Sequence, residues 1–291
     1  MARSKFRTMI LVLCGLVAAA GLSAVTAGPA AAVPGLVNVS AATVVDSAVA
    51  KSATATCPAG LVVIGGGARL TIVTGEVSIT RMNPTATGDG YDAYAYEDQD
   101  GYLGNWGLVV TAICANPPPG YQIVTATSVP TSNPSAQVAV ACPAGTQVLG
   151  TGGAVAPGRG VVVLSAMFPT ATTAPTRVQV NGSEVQGGYS GTWNLQVWAI
   201  CTAPVAGHTV VSTAGVSNSA SPKTTSSVCP AGSFMHGVGF QLGGSWPDLF
   251  LNGASPTPAA PVGTSVPVTV SEDQSGLVGF WAIRTVIICA S

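Results

Sequence analysis

The chain has 291 residues, of which 10 are basic and 11 are acidic, so its formal net charge at pH 7 is −1. Only 7% of the residues are charged, whereas 36 are glycine and 21 are proline. A surface with so few cations offers no basic footprint for a phosphate backbone, which argues against nucleic acid as a partner. Solubility must instead come from Ser, Thr, Asn and Gly.

Residues 1–32 have the pattern of a secretion signal peptide. Three basic residues open the segment, an apolar stretch from Met9 to Val25 follows, and Ala30 to Ala32 supply the small residues that a signal peptidase needs. A transmembrane anchor is the competing interpretation, and it is disfavoured because the stretch is short and contains Gly15 and Gly21. The sequence therefore predicts a secreted protein with no membrane span after the signal is removed.

From residue 33 onward the chain consists of three copies of one pattern. Each copy contains Cys-Pro-Ala-Gly, a Gly-x-Gly that begins eight residues after the cysteine, and a later Glu-x-Gln-x-Gly-x-x-Gly-x-Trp. The period is about 86 residues, and such fidelity requires each copy to build the same unit. We predict repeat 1 at 33–117, repeat 2 at 118–204 and repeat 3 at 205–291, which leaves no room for a separate catalytic domain.

Six cysteines follow the signal segment, two in each repeat, and disulfides persist in exported proteins. Of fifteen possible connectivities, two respect the repeat. One joins the cysteines within each copy, whereas the other joins neighbouring copies and requires the two ends of the chain to meet. Zinc is disfavoured because no Cys-x-x-Cys occurs, so the sequence predicts no metal site and no cofactor. The favoured pairs are Cys57 with Cys114, Cys142 with Cys201, and Cys229 with Cys289.

Short runs of Val, Ile, Thr and Ala, bounded by Gly, Pro, Asn or Ser, predict β-strands throughout the repeats. No stretch after the signal keeps a helical period for three turns. Before the Glu of repeat 1 the pattern alternates, with Ala93 and Ala95 on the predicted buried face and Tyr94 and Tyr96 on the polar face. We therefore predict an all-β chain of three disulfide-linked repeats.

The Gly-x-Gly of each repeat, Gly65 and Gly67 in repeat 1, predicts a β-bulge or a close crossing of two backbones. A phosphate-binding loop is the alternative, and it is disfavoured because no helix start follows.

A Glu and a Trp recur together near the end of each repeat. We expect the Trp to pack in the core against the disulfide. We expect the Glu to accept hydrogen bonds from backbone N–H groups in a turn, because one active site would not require the residue three times. These structural residues are Glu97 and Trp106, Glu184 and Trp193, and Glu272 and Trp281.

The acidic residues near Glu97 leave two alternatives open. Glu97, Asp98 and Asp100 share one predicted turn, and paired carboxylates can hydrolyse glycosidic bonds. Calcium binding by Asp98 and Asp100 is the weaker alternative, because repeat 2 lacks both acids. A Ser-His-acid triad is disfavoured, since the chain has only two histidines and no Gly-x-Ser-x-Gly.

Repeat 1 differs from the other repeats in its aromatic residues. Tyr94 and Tyr96 lie on the predicted polar face, where repeats 2 and 3 have Asn, Ser and Thr, and Asp92 belongs to the same face. Rings beside a carboxylate can stack on sugars, so these three residues are the candidate binding residues. Trp198 and Trp246 also lack counterparts and are candidates to extend the surface. The alternative is that Tyr is simply a common strand residue on a half-exposed face.

Cys-Pro-Ala-Gly with the Gly-Gly-Gly-Ala of residues 65–68, followed by Glu-Asp-Gln-x-Gly and the Ala-Ile-Cys-Ala of residues 112–115, resembles a family of uncharacterised secreted triple-repeat proteins of high-GC Gram-positive bacteria. The resemblance covers the whole chain after the signal. It implies secretion and a repeat architecture, and it implies no activity. The chain departs from the pattern at His236 in repeat 3 and at Val185 in repeat 2.

Two architectures fit three such copies. The first is a closed body with pseudo-threefold symmetry, similar to the β-prism of vitelline membrane outer layer protein, in which three sheets share one core. The short connections 116–120 and 202–207 favour it. The alternative is three small β-sandwiches in a row.

The sequence thus predicts an exported, non-catalytic protein of the cell surface or medium, structural or adhesive in role. A cell-wall or extracellular glycan is the most concrete partner. The alternative is a secreted hydrolase of the glycosidase type that uses the acidic residues near Glu97.

Overall fold

The computed structural model shows an all-β protein. The described residues form 18 strands and no helix, so the predicted fold class is confirmed. The predicted signal segment and Trp246 lie outside the described residues. The residues that the structure describes are 33–158, 160–185, 187–243, 248–256 and 263–291.

Each repeat supplies six strands. Those of repeat 1 are β1 (Val37–Ala42), β2 (Ala50–Thr56), β3 (Val62–Leu70), β4 (Val77–Pro84), β5 (Gly90–Glu97) and β6 (Leu108–Ala115). Those of repeat 2 are β7 (Gln122–Thr127), β8 (Ser135–Ala141), β9 (Gln147–Ala156), β10 (Val162–Pro169), β11 (Arg177–Glu184) and β12 (Asn194–Thr202). Those of repeat 3 are β13 (Thr209–Ala214), β14 (Lys223–Val228), β15 (Phe234–Gly243), β16 (Leu249–Ala254), β17 (Ser265–Glu272) and β18 (Ala282–Ala290).

The six strands of a repeat separate into two three-stranded halves, and each half joins a half of another repeat. We call the three six-stranded sheets after the repeats that they connect. Sheet 1–2 has the order β2-β5-β4-β9-β12-β7, sheet 2–3 the order β13-β18-β15-β10-β11-β8, and sheet 3–1 the order β1-β6-β3-β16-β17-β14.

This exchange of halves decides between the two expected architectures. The repeats are connected from 1 to 2, from 2 to 3 and from 3 back to 1, which gives the pseudo-threefold ring. Three separate β-sandwiches are not formed, because every sheet contains strands of two repeats. The three repeats thus form a closed ring, although each six-stranded sheet is itself open and has two edge strands.

The three disulfides are those favoured from the sequence: Cys57–Cys114, Cys142–Cys201 and Cys229–Cys289. In each repeat, one cysteine directly follows the first strand of one half and the other lies in the central strand of the second half, so the bond ties the two sheets together. Closing a loop of this length contributes about 4 kcal/mol per disulfide in the chain-entropy model.

The innermost strands β3, β9 and β15 approach one another at the centre, where each repeat places its Gly-x-Gly. A Cβ on Gly65 would lie 2.0 Å from the carbonyl oxygen of His236 in repeat 3, and one on Gly150 would lie 2.2 Å from that of Ile64 in repeat 1. A Cβ on Gly237 would lie 2.7 Å from the carbonyl oxygen of Leu149 in repeat 2. The predicted close backbone crossing is therefore confirmed, and it is repeated three times.

A β-bulge accompanies each crossing. The pairing register shifts around Ile64, Leu149 and His236, each of which immediately precedes the first Gly of the motif. All three side chains are fully buried. The predicted bulge and the predicted crossing therefore occur together at the same place.

His236 is the polar exception among these three bulged residues. Its Nδ1 donates to the carbonyl oxygen of Phe234 at 2.9 Å, whereas its buried Nε2 has no hydrogen-bond partner. Burial, opposed by the hydrogen bond to Phe234 and helped by the neighbouring His208, lowers the pKa of His236 to about 4. The imidazole is thus neutral in the folded protein near pH 7.

This buried histidine makes the fold sensitive to acid. The unfolded chain takes up a proton near the ordinary pKa of about 6.5, whereas the folded chain takes it up only near 4, so stability falls as the pH falls. The loss reaches about 3 kcal/mol by pH 4. We expect His236→Leu, which introduces the residue of repeat 2, to flatten this decrease in the free energy of unfolding, measured by urea denaturation from pH 7 to pH 4. Equal acid sensitivity of the variant and the wild type would contradict this assignment.

Candidate functional site

Glu97 and Trp106 form a hydrogen-bonded contact that we call the Glu-Trp latch. The Trp106 indole Nε1 donates to Glu97 Oε1 at 2.9 Å, and the backbone N–H of Tyr102 donates to Glu97 Oε2 at 3.2 Å. The indole is fully buried. Both carboxylate oxygens of Glu97 therefore have partners in the turn between β5 and β6.

The latch recurs in repeats 2 and 3. Glu184 accepts from the Trp193 indole at 2.9 Å and from the backbone N–H of Tyr189 at 3.2 Å. Glu272 accepts from the Trp281 indole and from the backbone N–H of Leu277, the latter at 3.3 Å. The sequence indicated the backbone contact but not the indole contact, for which the constant spacing of nine residues was the available signal.

The outer face of sheet 1–2 carries the candidate binding residues. Along β5, Ala93 and Ala95 are buried, whereas Asp92, Tyr94 and Tyr96 are half-buried and point to the other face. The structure thus brings Asp92, Tyr94 and Tyr96 together on one surface.

Trp198 joins this surface from repeat 2. The halves of sheet 1–2 meet through only two residue pairs, Arg81 with Ala154 and Met82 with Gly153. At this seam the Arg81 guanidinium lies 4.9 Å from the centre of the Tyr94 ring and 5.8 Å from that of Trp198. We call Arg81, Tyr94 and Trp198 the aromatic cluster.

Polar contacts fix the cluster in place. Arg81 Nε donates to Oδ1 of the buried Asn83, and the Arg81 guanidinium lies 3.9 Å from Asp92 Oδ2. Thr54 Oγ1 donates to Asp92 Oδ1 at 2.6 Å. The cation, the carboxylate and the two rings therefore share one preorganised surface.

Arg81 was missed by the sequence analysis, although the repeats contain a signal for it. The pairing registers place Arg81 opposite Tyr94, Ala166 opposite Asn181 in repeat 2, and Gly253 opposite Thr269 in repeat 3. A charged residue that replaces two small ones breaks the symmetry in the same way as Tyr94 does.

The other two sheets have clefts at the corresponding seams. On sheet 2–3 a groove of about 460 Å³ opens beside Phe168, Gln241 and Arg284, and sheet 3–1 has a smaller cleft of about 110 Å³ beside Arg69 and Asn252. Each of these seams also rests on only two residue pairs. The aromatic cluster occupies the seam of sheet 1–2 alone.

The predicted acidic turn has a local role. Asp98 Oδ1 accepts hydrogen bonds from the backbone N–H groups of Asp100 and Gly101, both at 3.0 Å. Asp98 thus caps the turn that begins at Glu97, while Asp100 is exposed.

No protein-family model matches this chain, and no match is found among curated proteins. Within the described ranges, no helix has the length and apolar character needed to cross a bilayer. The three disulfides fit an extracellular protein.

The latch gives a prediction about stability. Glu184→Ala leaves the buried indole N–H of Trp193 without a partner, and we expect this to lower the free energy of unfolding by about 1–3 kcal/mol. The measurement is urea denaturation of the oxidised protein. In a double-mutant cycle with Trp193→Phe, the double variant should lose less than the sum of the single losses. Strict additivity would show that the hydrogen bond does not couple the two side chains.

Proposed function

We propose that this protein is exported and acts without catalysis, as a structural or adhesive component of the cell surface or medium that binds carbohydrate. The binding surface is the outer face of sheet 1–2. The three disulfides support an extracellular location, and the aromatic cluster supports the choice of ligand.

The aromatic cluster is the observation that carries this proposal. Tyr94 lies on β5 and Trp198 on β12, and the strand order places β4 with Arg81 between them, so rings from two repeats lie within 6 Å of one cation. The C–H faces of a sugar stack on such rings, and its hydroxyl groups bind to carboxylate and guanidinium groups such as those of Asp92 and Arg81. An apolar surface with a few convergent polar groups is the usual chemistry of a ligand site.

The fold itself does not require these residues. The positions equivalent to Tyr94 are Asn181 in repeat 2 and Thr269 in repeat 3, and both repeats still form the same strands. Strand formation therefore does not explain why aromatic residues occupy the outer face of sheet 1–2, and ligand binding would explain it.

The contacts around Asp92 order the side chains of the proposed site before a ligand binds. Thr54 and Arg81 hold the carboxylate, and Arg81 in turn lies against Tyr94. Side chains that are ordered before the ligand arrives lose less conformational entropy on binding.

The test is a glycan array with the purified chain that lacks residues 1–32, followed by retention on the polysaccharide that binds best. We expect Tyr94→Ala and Trp198→Ala each to weaken binding about tenfold, which corresponds to about 1.4 kcal/mol per ring. The matched control is Asn181→Ala, the equivalent position on sheet 2–3, which should bind as the wild type does. Unchanged retention by the Tyr94→Ala/Trp198→Ala double variant would refute the proposed surface.

A hydrolase of the glycosidase type is the second candidate function. Glu97 has both oxygens engaged in the latch, so the pair left to this candidate is Asp98 and its neighbour Glu76, which have carboxylate oxygens within 4.8 Å of each other.

Release of reducing sugar from the retained polysaccharide tests this candidate. Activity of the wild type that disappears in Glu76→Gln and persists in the control Asp89→Asn would support a hydrolase over a purely adhesive protein. The absence of sugar release by the wild type would remove the candidate.

A further inference from the structure

Three carboxylates from distant parts of the chain converge where repeat 1 meets repeat 3. Glu76 directly precedes β4, Asp98 directly follows β5, and Asp273 directly follows β17. One oxygen of each carboxylate lies within 4.8 Å of the oxygens of the other two. We call these three residues the acidic triad.

Glu76 provides an observation that is independent of this clustering. Its side chain is 8% exposed, and its buried Oε2 has no hydrogen-bond partner. A buried carboxylate oxygen without a hydrogen-bond partner is costly, and a bound cation would remove that cost. The other two members of the triad, Asp98 and Asp273, are themselves acids and supply no positive charge.

We propose that the acidic triad binds a hard divalent cation, with Ca²⁺ preferred, at the junction of repeats 1 and 3. All three ligands are carboxylate oxygens, which is the ligand type of Ca²⁺. Because Ca–O distances are about 2.3–2.6 Å, two ligands of one ion lie at most about 5 Å apart, and the triad meets this limit. Water completes the coordination sphere.

Backbone N–H groups orient two of the three ligands. Asp98 Oδ1 accepts from Asp100 and Gly101, and Asp273 Oδ1 accepts from the backbone N–H of Gln274 at 2.8 Å. Such outer contacts hold the ligands of a metal site in position. In the third ligand, Glu76, the buried Oε2 has no hydrogen-bond partner in the protein.

The corresponding positions of repeat 2 show that the fold does not need acids here. Val161 and Val185 occupy them, and they pack with Val163 and Phe250 in a small apolar cluster. The backbone is nevertheless the same, since the N–H of Val185 donates to the carbonyl of Val161 as that of Asp98 donates to the carbonyl of Glu76, at 3.0 Å in both cases. The backbone structure at this place therefore does not require the acids of repeats 1 and 3.

The position of the triad gives the ion a structural effect. Peptide connections join repeat 1 to repeat 2 and repeat 2 to repeat 3, whereas repeats 3 and 1 meet through non-covalent contacts, among them those of sheet 3–1 and the central crossing of β3 with β15. The two halves of that sheet pair through Gly253 with Arg69 and Ala254 with Ala68. A cation bound by Glu76, Asp98 and Asp273 would add a tie at this junction. The sequence predicted no metal site, with calcium at Asp98 and Asp100 as a weaker alternative; Glu76 and Asp273 were not among the residues considered.

The test is titration of the chelator-treated, oxidised protein with CaCl₂ and with MgCl₂, by calorimetry and by thermal unfolding. We expect one saturable Ca²⁺ site, weaker binding of Mg²⁺, and a Tm that rises with Ca²⁺ concentration because the ion binds only the folded state. Absence of saturable binding together with an unchanged Tm would overturn the proposal.

Substitutions separate the triad from adventitious binding. Glu76→Gln, Asp98→Asn and Asp273→Asn should each weaken Ca²⁺ binding at least tenfold, while the Tm of the metal-free protein stays the same or rises because repulsion among the acids is relieved. The matched control is Asp89→Asn, an exposed acid in the loop between β4 and β5, which should bind as the wild type does. Equal weakening in the control, or full binding in Glu76→Gln and Asp273→Asn, would locate the ion elsewhere and overturn the proposal.

Discussion

The close approach of β3, β9 and β15 at the centre constrains the rest of the molecule. Where a Cβ would lie 2.0 Å from a carbonyl oxygen of another repeat, as at Gly65, only glycine fits. Each of these strands also forms one side of a seam, where two residue pairs join the halves of a sheet. Clefts lie at the seams of sheet 2–3 and sheet 3–1.

The latch and the disulfide stabilise each repeat away from that axis. They are the same in all three copies, which means that the fold is specified three times by local chemistry. Residues outside this shared set are free to differ between copies. Arg81, Trp198 and Glu76 belong to this second group, and both proposals about ligands rest on such departures from symmetry.

Features that repeat with a short period were predictable from the sequence. The alternation of Ala93 and Ala95 with Tyr94 and Tyr96 follows from strand geometry. The within-repeat disulfides were the favoured of the two connectivities that respect the three copies. The exchange of half-sheets was not predictable, because β4 pairs with β9 of the next repeat through two residue pairs of the backbone register, which leave no local pattern in the sequence. The proximity of Glu76 and Asp273 was not predictable either, because almost two hundred residues separate them in the sequence.

The two proposed sites share one pair of strands. Glu76 and Asp98 lie at one end of the β4–β5 pair, where Val77 is opposite Glu97, while Arg81 and Tyr94 face each other farther along the same two strands. At about 3.3 Å per residue, the distance from Glu76 to Arg81 along the strand is about 17 Å. A cation that holds the strand ends together would restrict the motion of the strands that carry the aromatic cluster, and any effect of one ligand on the affinity for the other must be reciprocal. Glu76 and Asp98 of one site and Arg81 and Tyr94 of the other would then be coupled, because the β4–β5 pair positions all four residues.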